Sequence, residues 1–111
     1  MKSGLMAPDP ISRCPVTHCL GLIGGKWKPV ILFCISNGVD RFGAMQRAIP
    51  GVTKQMLTQQ LREMEADGLL SRTVHAVVPP RVDYALTGRG QSLLPIVAAM
   101  RDWGLADRAA G

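Results

Sequence analysis

Apolar residues recur along this chain first at helical spacing, then at strand spacing, then at helical spacing again. Val16, Cys19, Leu20 and Ile23 follow a period near 3.6 and read as one face of a helix. Cys14-Pro15 reads as its start, because proline suits the first helical position and leaves Cys14 as the cap. Gly24-Gly25 ends it. A second helix is expected from about Lys26, with Trp27, Val30, Ile31, Cys34 and Ile35 in one stripe. Pro29 is tolerated in its first turn, where amides lack intrahelical partners, and Asn37-Gly38 closes it. A short third helix over about 41–48 turns Phe42, Met45 and Ile49 inward before Pro50-Gly51 breaks it. Thr53 caps a fourth helix, with Met56, Leu57, Leu61 and Met64 inward and a stop at Asp67-Gly68. The pattern then changes: Leu69 to Val78 and Arg81 to Leu86 are extended runs around Pro79-Pro80, a β-hairpin. Thr87 caps a last helix to about Trp103, which Pro95 is expected to kink or to start late.

This order predicts a mainly α fold with a small β-hairpin wing, a winged helix-turn-helix. With 111 residues there is room for one core. Residues 1–13 have no period and read as a loose arm, 14–104 as the winged helix-turn-helix domain, and 105–111 as a tail. The last helix carries Leu93, Leu94, Ile96, Val97, Ala98, Ala99, Met100 and Trp103, apolar on more than one side. The first helix adds Val16, Leu20, Leu22 and Ile23. One core needs one stripe, so the surplus predicts a homodimer formed by the terminal helices, and Val97→Glu is expected to release monomers.

Composition adds a packed globule, 47% hydrophobic and 19% charged. No apolar run is long enough to span a bilayer and the N-terminus lacks a signal-peptide stretch, so the expected location is cytoplasmic, with no membrane partner. Thirteen Lys and Arg against eight Asp and Glu leave a net charge of +5, which raises the prior for a polyanionic partner. Placement sharpens this. Thr53, Lys54, Gln55, Thr58, Gln59 and Arg62 form a polar face on the fourth helix, and the acids Glu63, Glu65 and Asp67 come only at its end. Hydroxyls, amides and one basic head are the groups that read base edges in the major groove. Taken alone, such a face is most often merely solvated. The flanking residues move the balance: Arg41 and Arg47 precede the helix, while Arg72 and Arg81 frame the hairpin, where Pro79-Pro80 makes a stiff tip. Basic residues bracketing an acid-free helix start suit phosphate contacts on double-stranded DNA.

Several ordered segments carry a resemblance to one family: Cys14-Pro15-Val16, Gly24-Gly25-Lys26-Trp27, Arg41-Phe42, Met56 through Glu63, Asp67-Gly68-Leu69, Val78 through Tyr84 and Leu86-Thr87. Together they resemble the HxlR-type winged-helix transcriptional regulators, relatives of the MarR regulators. The resemblance covers residues 14 to about 104. It implies a dimeric regulator whose fourth helix enters the major groove of an inverted-repeat operator while the wing touches the flanking backbone. The chain departs from the usual pattern at three places. The basic residue of Thr53-Lys54-Gln55 is second rather than third, and His75 and Val77 stand where a tyrosine and an acid are common.

Cys14 is the candidate redox sensor. A thiol at a helix N-cap feels the positive dipole end, Arg13 adds a neighbouring charge, and the resemblance places there a cysteine that some members use to sense an oxidant or electrophile. The alternative is a structural thiol near the dimer contact. Cys19 and Cys34 lie on apolar stripes and read as buried, inert thiols. Cys14 and His18 share a helix face, but Cys19 points elsewhere, so no metal is expected. His75 reads as an isolated surface residue. No Gly-rich phosphate loop and no oriented nucleophile-base pair is present, so neither cofactor nor catalysis is expected. Two rival readings stay open: a winged helix that binds protein instead of DNA, and a thiol redox protein built on Cys14.

Overall fold

The computed structural model describes residues 14–111. The arm over residues 1–13, and with it Arg13, lies outside the described residues. Eight elements follow: α1 (Pro15–Ile23), α2 (Lys28–Ser36), α3 (Phe42–Ala48), α4 (Lys54–Ala66), β1 (Leu70–His75), β2 (Arg81–Leu86), α5 (Gly88–Gln91) and α6 (Leu94–Ala110).

Local chemistry sets the boundaries. Cys14 is the extended N-cap of α1, with proline in the first turn. Helix α2 begins two residues later than the pattern suggested, since Trp27 takes its cap position. The Thr53 hydroxyl oxygen accepts the Met56 amide at 3.1 Å, one of the amides at the start of α4 that has no partner inside the helix. At the other end Gly68, with φ +75°, turns the chain out of α4 into β1, a conformation that favours glycine.

The long last helix expected after Thr87 is two helices. Thr87 caps α5, accepting the Gly90 amide at 3.1 Å, but that helix ends at Gln91. Pro95 sits in the first turn of α6, which therefore starts late, as one of the two expected outcomes had it. Helix α6 continues to Ala110, past the end expected near Trp103, so residues 105–110 are helical. The Thr87 hydroxyl donates to the Gly68 carbonyl at 2.6 Å, and the Thr87 amide donates to the Leu69 carbonyl at 3.0 Å. A Cβ at Gly90 would collide with that Leu69 carbonyl, so glycine is what lets α5 lie against the α4–β1 turn.

Strands β1 and β2 pair antiparallel from Leu70↔Leu86 to His75↔Arg81. Arg41 adds an isolated antiparallel bridge to Asp83, and the Tyr84 amide donates to the Asp40 carbonyl at 2.9 Å. The residues before α3 thus form a short third lane of the wing.

Ile31, Leu32, Met45, Leu57, Leu61, Met64 and Leu69 are the fully buried centre, drawn from α2, α3, α4 and the turn into β1. Burying each such side chain contributes about 1.5–3 kcal/mol, so these seven anchor the domain. Met56, expected inward, is 43% exposed. Leu57, Leu61 and Met64 lie within one narrow stripe, and Met56 stands one residue off it, about 100° around the helix. Val97 is the opposite case: at 6% exposure it belongs to the core, where α6 packs on α2, and not to a free face. Among the described residues no single helix is long and apolar enough to cross a membrane.

Candidate nucleic-acid interface

Helix α4 buries Leu57, Leu61 and Met64 and turns its remaining sides outward. Lys54, Gln55, Gln59 and Arg62 are exposed and Thr58 is half-buried. Together these five line one shallow depression of about 410 Å³, so the structure brings the predicted reading residues onto a single face. Thr53 stands at the head of that face, its hydroxyl oxygen occupied by the cap. No acidic residue lies in the first turn. The amides and positive dipole end there favour an anion.

Two side chains of this face are already held. The Thr58 hydroxyl donates to the Lys54 carbonyl at 2.8 Å, which leaves it an acceptor for an incoming group. Gln59 Nε2 donates to Glu63 Oε2 at 2.8 Å. Glu63 Oε1 in turn lies 2.6 Å from Lys28 Nζ on α2. The hydrogen bond from Gln59 and then the Lys28 ammonium hold the Glu63 carboxyl below the usual carboxylate range.

At the wing one carboxylate organises two of the arginines. Asp83 Oδ1 lies 3.4 Å from Arg41 Nε and 3.4 Å from Arg81 Nε, and its Oδ2 meets His75 Nε2 at 2.9 Å. The structure therefore corrects the reading of His75: it is half-buried and paired, because register puts it beside Arg81 and within reach of Asp83. Arg72 Nε approaches Glu65 Oε1 at 3.8 Å, closing a second small pocket of about 280 Å³ under Arg62 and Tyr84. Burial raises the Tyr84 phenol above its ordinary range. Arg47 is exposed on α3. Arg41 and Arg81 are thus brought together at the wing, and the α4 residues form a separate group.

Sequence reasoning missed Lys28, Glu63 and Asp83. Glu63 stands four residues after Gln59, a spacing that puts the two on one helix face. Lys28 interrupts an otherwise apolar start of α2, a signal that a charge there needs a partner.

Residues 22–109 match the family described as HxlR-like helix-turn-helix. The chain belongs to that family. It is a helix-turn-helix transcriptional regulator, and its family binds DNA. The HTH-type transcriptional regulator YybR of Bacillus subtilis (strain 168) is 47% identical over 95 residues, spanning 86% of this chain and 76% of YybR. Among solved structures, the redox regulator HypR in its oxidized form superposes with a TM-score of 0.80 at 47% identity, covering 84% of this chain and 96% of HypR. A transcriptional regulator of the MarR family from Porphyromonas gingivalis W83 gives 0.79 at 32% identity, covering 89% and 97%. These likenesses bear out both the winged-helix fold and the family resemblance read from the sequence.

The thiols sit elsewhere. Cys14, Cys19 and Cys34 are all half-buried, so Cys19 and Cys34 are less enclosed than their stripes suggested. Burial nevertheless pushes the Cys34 thiol up. Around α1 and α6, Val16, Leu20, Ile96, Met100, Trp103 and Leu105 are exposed, and an apolar cleft of about 450 Å³ lies between the two helices.

Proposed function

We propose that this regulator binds duplex DNA as a homodimer, with the N-terminal half of α4 in the major groove and the wing on the flanking backbone. The observation that carries the reading is the shared outward face of Lys54, Gln55, Thr58, Gln59 and Arg62, with no acid in its first turn, and the pairing of Arg41 and Arg81 at the wing. The α4 side chains read base edges, while the two wing arginines contact phosphate or the minor groove. The exposed apolar residues of α1 and α6 support a two-fold pairing of these helices. Such a pairing is self-complementary and sets two reading helices about 34–36 Å apart, one duplex turn, on an inverted repeat.

A second component concerns control. HypR, one of the solved relatives, is a redox regulator. Cys14 stands at the N-cap of α1, beside the proposed dimer face. These two facts support Cys14 as the thiol through which an oxidant or electrophile changes operator affinity.

Selection from a pool of random duplexes tests the main reading. An enriched inverted repeat with half-sites one turn apart is expected. Recovery of no enriched sequence would defeat it and favour a winged helix that binds protein.

A further inference from the structure

A glutamine on a reading helix is an ambiguous probe. Its amide offers an acceptor on one side and two donors on the other, and rotation by a half-turn exchanges them. Left free, Gln59 can meet a base edge in either sense. It is not left free. Glu63 lies one helical turn further along α4, and its Oε2 takes the Gln59 Nε2 hydrogen at 2.8 Å. An ionised carboxylate only accepts, so the amide that meets it must turn nitrogen toward it and oxygen away.

The carboxylate is fixed in its own turn. Lys28 comes from the first turn of α2, is 8% exposed, and sets Nζ 2.6 Å from Glu63 Oε1. One carboxylate oxygen is thereby committed to α2, and the other is aimed at Gln59. Helix α2 is among the most buried parts of the chain, with Ile31 and Leu32 fully enclosed. The orientation of a side chain on the DNA-facing surface is thus referred back to the core.

We propose that the Lys28–Glu63 pair sets the amide sense of Gln59, which makes Glu63 a positioning residue that determines base preference. Gln59 then presents Oε1 and its remaining N–H toward the groove. That order of acceptor and donor fits the adenine edge, where N6 donates and N7 accepts. The alternative is an ordinary i, i+4 pair that supports the helix and leaves recognition untouched.

The inference rests on α4 entering the major groove, and the experiment separates the two. Gln59→Ala first identifies, within the selected operator, the base pair whose preference depends on Gln59. Affinities of the wild-type protein, Glu63→Ala and Lys28→Met are then measured on the four duplexes that differ only at that pair. The wild-type protein is expected to prefer adenine there by roughly fivefold to 150-fold, the range of a good bidentate contact. Glu63→Ala is expected to bring the four affinities to within about threefold of one another, and Lys28→Met to reduce the preference in part. Lys28→Met keeps an apolar stem of similar length in the core, so it carries the test even where Glu63→Ala folds poorly. Retention of the full preference in both variants would overturn the inference, as would a loss of the same factor on all four duplexes. Failure of the wild-type protein to select any sequence would instead defeat the reading of α4 itself.

Discussion

Arg41 and Asp83 stand opposite each other in a single antiparallel bridge, and their side chains meet at 3.4 Å. Arg81 reaches the same Asp83 oxygen at 3.4 Å. One carboxylate therefore holds together two guanidiniums from segments 40 residues apart, both proposed to face the DNA backbone. Asp83→Asn removes that charge and lets the two arginines separate. The expected result has two parts, because the substitution also removes a negative charge from a face that meets phosphate. Affinity for random duplex is retained or rises. The ratio of operator to random affinity falls a few-fold, in keeping with about 1 kcal/mol for a surface ion pair. Titrations of both duplexes by the variant check this, and an unchanged ratio would count against it.

Arg81 and the α4 amides are expected to fail in different ways. Arg81→Ala removes a backbone or minor-groove contact at the wing, so binding weakens on every duplex alike. For a phosphate contact, the slope of log K against log salt should become shallower by about 0.9. Fluorescence titration over a series of salt concentrations measures both quantities. A slope equal to that of the wild-type protein would remove Arg81 from the phosphate contacts.

The dimer face must be tested on residues that the core does not need. Ile96 and Met100 are exposed on α6, whereas Val97, one position away, is buried. Ile96→Glu is expected to yield a folded monomer in sedimentation and to lose operator binding in the same step. Val97→Glu is expected to unfold the protein instead, since an unpaired buried charge costs several kcal/mol. A folded, dimeric Ile96→Glu would move the interface away from α6.

The thiols should differ in reactivity with pH. Burial raises the Cys34 thiol above its ordinary range, so it stays protonated where a free thiol has begun to ionise. Alkylation of the native protein followed by peptide mapping is expected to label Cys14 before Cys34. The same shift has a consequence for stability. The folded state holds its proton more tightly than the unfolded one, so the Cys34 contribution is full below the ordinary thiol range. It is lost as pH rises through the raised value. If Cys14 is the sensor, its modification changes operator affinity and Cys14→Ser abolishes that change. Unaltered affinity after complete modification would leave it structural.

Much of this architecture was legible because it depends on local chemistry. Thr53 before a periodic run and Gly68 after it mark both ends of α4, and the change of period at Leu69 marks the hairpin. The misjudged positions are those where partners come from elsewhere. Met56 fits a loose apolar pattern, yet only its angle to Leu57 and Leu61 decides that it faces out. Val97 lies among apolar neighbours on every side, and nothing in the one-dimensional pattern says which of them α2 covers. The polar face of α4 was readable from spacing alone. The Lys28–Glu63–Gln59 chain was not, because Lys28 on α2 and Glu63 on α4 stand 35 positions apart, and Asp83 was passed over because Arg41 and His75 reach it from other segments. The split of the last helix falls between these cases: Pro95 signalled the break, but the stop at Gln91 depends on how α5 packs on Leu69.

Whether α4 reads base edges is decided best at Gln55. It is exposed on the shared face of α4 and lies in the half expected to enter the groove. Affinities of the wild-type protein and Gln55→Ala are measured on the selected operator and on each of its single-base-pair variants. Gln55→Ala is expected to lose its preference at one position in each half-site, by roughly 1–3 kcal/mol, and to keep the wild-type preference at the others. An unchanged preference at every position, or an equal loss on all duplexes, would contradict it.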